Sequence, residues 1–140
     1  MNVSLLIISL ALLGSCSSQE PSESSIGTAS TLPSNSASYG LVSKEVGCES
    51  AYIDEKKTDI FNKRYKNHWM TWTGKVFHAD AESVSLDMNG KGIQELQVAF
   101  ADSKAGYDVL IGTTITVRFV MTGHGGCYLP FSGEYAKIVV

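Results

Sequence analysis

The residues able to do covalent or acid–base chemistry in this 140-residue chain are few and scattered. Histidines stand at positions 68, 78 and 124, cysteines at 16, 48 and 127, and Asp80 and Glu82 follow closely on His78. Nucleophilic catalysis needs a base within hydrogen-bond reach of the nucleophile and a third group to orient that base. His68, His78 and His124 sit in no motif that supplies such partners. Asp80 and Glu82 straddle a turn, where short polar side chains hold backbone amides. A metal site built from Cys48, Cys127 and His124 lacks any C-x-x-C or H-x-x-x-H spacing. The run Gly123-His124-Gly125-Gly126 can turn backbone amides toward an anion, but no Lys-Ser/Thr continuation makes it a phosphate loop. No catalytic residue, metal or cofactor is expected, and the chain reads as a non-enzyme.

The elements that carry these residues begin with residues 3–13, apolar apart from Ser4 and Ser9. Eleven residues at 1.5 Å each cover only about half of a ~30 Å hydrocarbon core, which makes this a signal h-region and not a membrane span. The preceding Met1-Asn2 contributes no Lys or Arg. The string Leu13-Gly14-Ser15-Cys16 that follows resembles a bacterial lipobox. That resemblance implies removal of a signal peptide at residues 1–15, a diacylglyceryl thioether and an N-acyl chain on Cys16, and a membrane partner reached through the N-terminal lipid. By resemblance to the enterobacterial sorting rule, in which an Asp would signal retention, Ser17 implies release to the outer membrane, facing the periplasm, the inner membrane and the cell surface being the alternatives.

Residues 17–43 hold ten serines, two prolines and little bulk. Such a composition buries too little apolar surface to offset its ordering entropy. Residues 16–43 are therefore expected to be a disordered tether of about 30 Å typical reach, with a single folded domain over residues 44–140. The folded part carries eleven Lys and Arg against twelve Asp and Glu, which removes a whole-surface electrostatic case for nucleic acid.

With Cys16 taken by lipid, Cys48 and Cys127 remain, and export places them where pairing is the default. A disulfide is expected, a metal site or a reactive thiol being the alternatives. It would close a loop of roughly eighty residues, worth about 4–5 kcal/mol on the chain-entropy model.

Residues 50–65 contain no Gly or Pro, with Ser50 placed to cap a helix, Asp54 and Glu55 early, and Lys63 and Arg64 late. Lys56, Lys57, Lys63, Arg64 and Lys66 read as its solvated face. After His68 the apolar period changes to two. Met70, Trp72 and Val76 mark one strand, Val84, Leu86 and Met88 a second, and Leu96, Val98 and Phe100 a third. Asn89-Gly90-Lys91-Gly92 is a hairpin signal between the last two. Residues 102–111 read as a short helix or loop ending at Gly112. Ile115, Val117, Phe119 and Met121 mark a fourth strand, and Ala136, Ile138 and Val140 a fifth.

Three meandering strands, a short connection and two more strands are the order of an OB-fold, the five-stranded Greek-key barrel. The stretch 65–140 resembles the tRNA-anticodon-like OB domain of bacterial lipoproteins in its upstream helix, in Trp72-Thr73-Gly74-Lys75-Val76, and in Gly112-Thr113-Thr114-Ile115-Thr116-Val117-Arg118. The resemblance implies a mainly β barrel with Trp72, Val76, Leu86, Val98, Val117 and Ile138 inward; it does not imply tRNA binding. Single-stranded nucleic-acid binders of this fold set aromatic platforms on strands two and three. Here the expected outward residues are Ser83, Ser85, Asp87, Gln97 and Ala99, so nucleic acid is not an expected partner. The glycine-rich stretch 122–133 departs from a minimal barrel, and Tyr128, Leu129, Phe131, His124 and Trp69 are the candidate binding residues. Two functions compete. One is an envelope-anchored binding module for a protein or small ligand; the other is a structural or exclusion-type lipoprotein of a mobile element or phage that blocks a receptor.

Overall fold

The computed structural model describes residues 28–140. The lipobox, Cys16 and the first part of the expected tether lie outside the described residues.

Alternation of apolar and polar residues builds five strands: β1 (Trp69–Ala79), β2 (Ser83–Asp87), β3 (Leu96–Phe100), β4 (Thr114–Gly123) and β5 (Phe131–Val139). They close into a barrel in the order β1-β2-β3-β5-β4, in which β3 and β5 run parallel and every other pair antiparallel. This is the order of an OB-fold-like barrel, and closure leaves no unpaired sheet edge. In β1 and β3 the burial alternates residue by residue, so one side of each strand fills the interior. Trp72, Val76, Leu86, Val98 and Val117 are buried as the period predicts, and Ile138 packs against them partly covered. Trp72 organises the aromatic part of the core. It makes edge contacts with Tyr39, Phe119 and Phe131 at centroid distances of 5.4, 5.4 and 5.8 Å, and its indole N–H donates to the Ala37 carbonyl at 2.9 Å.

The folded part begins earlier than the expected boundary at Lys44. Helix α1 (Tyr39–Val46) rises inside the serine-rich stretch, its first turn held by the Ser38 hydroxyl accepting from the Leu41 N–H. Val42 and Val46 on one side of it are fully buried in the core. Upstream, Ser34 bridges to Trp69 and the Asn35 N–H donates to the Trp69 carbonyl, so residues 28–38 lie along the barrel and are not a tether. Helix α2 is Asp54–Arg64, shorter than the 50–65 expected. Its N-cap is Ile53, because Ser50 is engaged one turn earlier: its hydroxyl donates to the Glu45 carbonyl and accepts from the Tyr52 N–H. The two helices are joined by Arg64, which donates twice to the Glu45 carboxylate at 2.8 and 2.9 Å, and by the Tyr65 hydroxyl on the same carboxylate.

Two further boundaries differ from the sequence pattern. Strand β5 begins at Phe131 and not near Ala136, since Phe131 and Gly133 face inward ahead of an irregularity at Tyr135, a non-glycine residue at φ 56°. The glycine-rich departure thereby shrinks to a loop of residues 124–130. The β3–β4 connection is a chain of turns without a helix. Amides of Ala105, Tyr107 and Val109 each reach back three residues, and Gly106 sits so close to Asp80 that an added Cβ would meet its carbonyl oxygen at 1.9 Å.

Candidate functional site

Cys48, just past α1, is bonded to Cys127 in the β4–β5 loop, with the two Cα atoms 4.5 Å apart. The cystine joins the C-terminal end of α1 to the loop opposite, and a groove of about 600 Å³ lies beside it. Its walls are the end of α1, the β2–β3 loop (88–95) and the β4–β5 loop. Tyr39 and Phe131 form the floor, and Phe77, Ile93, Tyr128 and Leu129 stand around the opening.

Each wall is fixed for an identifiable reason. The β2–β3 loop is wound around the buried Asp87, whose carboxylate accepts from the backbone amides of Asn89, Gly90, Lys91 and Gly92 at 2.7–3.2 Å. Those donors, Gly92 first, hold the Asp87 carboxyl below the usual carboxylate range. Asp87 was expected on the outer face of β2; the loop's demand for an acceptor turns it into the turn instead. Ser85, expected beside it in solvent, is buried next to the β1 bulge at positions 76–78. Glu95 adds a second set of acceptors, taking the amides of Met88 and Asn89 and the Asn89 side chain. In the β4–β5 loop Gly125 lies at φ +59°, and an added Cβ would meet the Leu129 and Pro130 carbonyl oxygens at 2.4 and 2.3 Å. Only glycine fits that bend without strain. Burial pushes the Tyr39 phenol up to about 12; the Ser43 hydroxyl pulls it down, and neighbouring Glu95 adds to the rise. Across the opening, Lys91 and Glu49 pair at 3.6 Å with both side chains more than half exposed, which makes a weak and displaceable bridge.

Three of the five candidate binding residues meet here. Tyr128 is 98% and Leu129 70% exposed, whereas Phe131 is 5% exposed and belongs to β5, so it is floor and not an exposed contact. His124 turns away and lies against Phe61 at 4.9 Å between ring centroids, its Nδ1 buried without a hydrogen-bond partner among the described residues. Trp69 stands elsewhere, on the outer side of β1, its indole N–H donating to the Ala29 carbonyl and its ring beneath the Arg118 guanidinium at 4.7 Å. Tyr39, Phe77, Ile93, Lys91 and Glu49 were not singled out from sequence as site residues. The hydroxyl at Ser38 was the available signal for the helix that carries Tyr39, and it was lost among so many other serines.

Of the residues considered for catalysis, His78 lies near enough to Asp80 to help lower its carboxyl, while His68 and His124 have other neighbours. Asp80 is exposed, and its carboxylate takes the amides of Glu82 and Ser83 and the Ser83 hydroxyl, which hold it below its usual range. That is the turn-capping role its position suggested. His68 Nδ1 lies 2.9 Å from the Lys66 carbonyl. Among the described residues no cluster of three or more His, Cys, Asp or Glu side chains could hold a metal, and no helix is long and apolar enough to cross a membrane. No family model, no curated protein and no solved structure matches the chain.

Proposed function

We propose that this is a lipid-anchored envelope protein whose barrel is a non-enzymatic binding module, with the disulfide-bound groove as its contact site. The observation that carries the reading is the groove itself. Four large apolar side chains, Phe77, Ile93, Tyr128 and Leu129, stay exposed around a concavity of about 600 Å³ floored by two aromatic rings. Concave, mostly apolar sites of this size suit a small apolar ligand or an apolar side chain of a partner protein. A long-range disulfide beside the groove favours the same reading, because a loop already held in place pays less ordering entropy on binding. The anchor rests on the lipobox-like string ending at Cys16.

The test is a photo-reactive residue placed at Leu129, and separately at Tyr107 on the β3–β4 connection, in protein expressed in its own envelope. A discrete adduct from position 129, absent from 107 and lost when Cys48 and Cys127 are both replaced by Ser, is the expected result. Equal labelling from both positions, or none from 129, would remove the groove as the contact. The anchor is read separately from the intact mass: acyl chains on Cys16 are expected, and an unmodified N-terminus would remove it.

A further inference from the structure

A second hollow, of about 210 Å³, lies at the other end of β1 and shares no lining residue with the groove. Its lining is Ser30, Trp69, Arg118 and Lys137. Arg118 and Lys137 are directly opposite one another on β4 and β5, so both side chains project from the same outer face, and both are exposed. Neither has a carboxylate within ion-pair distance among the described residues. Two like charges held side by side on a sheet repel, and an anion placed between them removes that repulsion. The wall of the hollow is the half-buried indole of Trp69, already stacked under Arg118. An aromatic ring with a polar edge, flanked by cations, is the side-chain set that settles at a membrane interface.

The chain's own course says which anion. The described structure starts at Thr28, and Ala29 and Ser30 lie against Trp69 and the hollow. From Cys16 to Thr28 there are twelve residue steps, at most about 43 Å when fully extended. A lipid on Cys16 would hold this face, more closely than any face farther from the chain's entry, within reach of the bilayer surface. We infer that Arg118 and Lys137, with Trp69 as the wall, form a headgroup site for the phosphate of an anionic phospholipid. The site rests the β1–β4–β5 face on the membrane and leaves the groove, which shares none of its residues, free for a partner. The inference builds on the lipid-anchored reading.

The protein purified from its own membranes, its N-terminal mass read first, is reconstituted into vesicles of phosphatidylcholine or of an equal mixture with phosphatidylglycerol, each carrying acyl chains brominated near the headgroup. The chain has two tryptophans, Trp69 and the buried Trp72. Quenching is expected in the anionic vesicles and not in the neutral ones, and it disappears in Trp69→Phe. In the double variant Arg118→Gln, Lys137→Gln the docked fraction relative to the undocked falls by about 25-fold, at about fivefold per cation, while the melting temperature holds. Equal quenching in both vesicles, or quenching that survives the double variant, would overturn the site. So would an emission change with inorganic phosphate alone, which would mark a free-anion site. If the mass carries no acyl chain the anchored reading fails by itself. Co-sedimentation of the same protein then decides the headgroup site: pelleting with anionic vesicles alone supports it, and pelleting with neither or with both overturns it.

Discussion

The two ends of β2 solve the same problem with different chemistry. At the Ser83 end, the β1–β2 turn is held by backbone bonds, from Gly106 of the 101–113 connection to the Ala81 carbonyl and from Phe100 at the end of β3 to the Glu82 carbonyl, with Asp80 capping the turn. At the Asp87 end, the β2–β3 loop winds around Asp87, and the β4–β5 loop is tied to α1 by a covalent bond between residues 79 apart in sequence. Both ends leave large apolar side chains in solvent: Tyr107 at the first, Ile93, Tyr128 and Leu129 at the second. Exposure alone therefore does not mark a site. What separates the second end is that its exposed residues surround a groove beside a fixed cross-link.

The largest effect is expected from the disulfide. Replacing Cys48 and Cys127 by Ser releases a loop of roughly eighty residues, which the chain-entropy model values at about 4–5 kcal/mol, or roughly a 20 °C fall in melting temperature. The loss should be uneven. Hydrogen exchange should quicken at residues 124–130 and 88–95 and stay slow through the β1–β4 ladder, which pairs seven residues from Trp69↔Val120 to Lys75↔Thr114. Uniform loss of protection across the barrel would mean that the cystine holds the whole fold and not one end of it.

Next in size is Gly106→Ala, at the end without a cross-link. Its Cβ would fall 1.9 Å from the Asp80 carbonyl oxygen and 2.9 Å from the Phe100 ring. Neither backbone nor core ring can yield cheaply, so a cost of about 1–3 kcal/mol is expected in denaturant melts. Protection should fall around residues 80–82 and 101–113 and leave the groove loops unchanged. An equal change at both ends would show that they are not independent.

How much of this contrast was legible in the sequence follows from which residues carry it. The barrel was readable because β1 through β4 keep an unbroken period of two over their inward residues, and the cystine because only two thiols remain once Cys16 is set aside. The start of β5 was not readable. Ser132 and Gly133 carry no apolar alternation, and Tyr135 at positive φ breaks the period that Ala136 and Ile138 resume. Helix α1 was hidden for a related reason: its first turns, with Gly40 and the buried Val42, fall inside a serine-rich stretch that averages to the composition of a linker, while the burial that stabilises it comes from the barrel. The groove depends on that helix, so its floor residue Tyr39 could not be placed before the fold was known.

A smaller effect, and one with a sign, comes from the two capping aspartates, one at each end. Both carboxyls are held below the ordinary range by the N–H and O–H groups they accept from. A depressed carboxyl contributes stability that is present above its unfolded value, about 3.9, and is lost as pH falls through the lower folded value. Asp87→Asn and Asp80→Asn should each be less stable than the parent at neutral pH, and each gap should close as the solution is acidified below about pH 4. Asp87 serves four backbone amides and is buried, whereas Asp80 serves two amides and a hydroxyl and is exposed. The gap for Asp87 should be the larger, as measured by melts across the acid range. A larger gap for Asp80 would reverse the ranking of the two turns.

The smallest effect on stability is also the sharpest on function. Tyr128 and Leu129 bury little of themselves in the folded chain, so Tyr128→Ser with Leu129→Ser should leave the stability within about 0.5 kcal/mol of the parent for each change. The same holds for Tyr107→Ser at the opposite end, which is 80% exposed. The first removes two exposed apolar side chains at the groove, the second one at the opposite end. If the groove is the contact, losing two apolar anchors at its opening should cost the groove adduct, read from position 93, at least tenfold in yield, since truncating a central apolar contact commonly costs more than about 1 kcal/mol of binding. Tyr107→Ser should leave that yield as it was. The measurement is adduct yield from a photo-reactive residue at Ile93, a position on the facing wall that neither variant touches. Equal yields from both variants would mean that the exposed residues at the cross-linked end are no different in kind from those at the other, and that the cystine stabilises the fold without preparing a site.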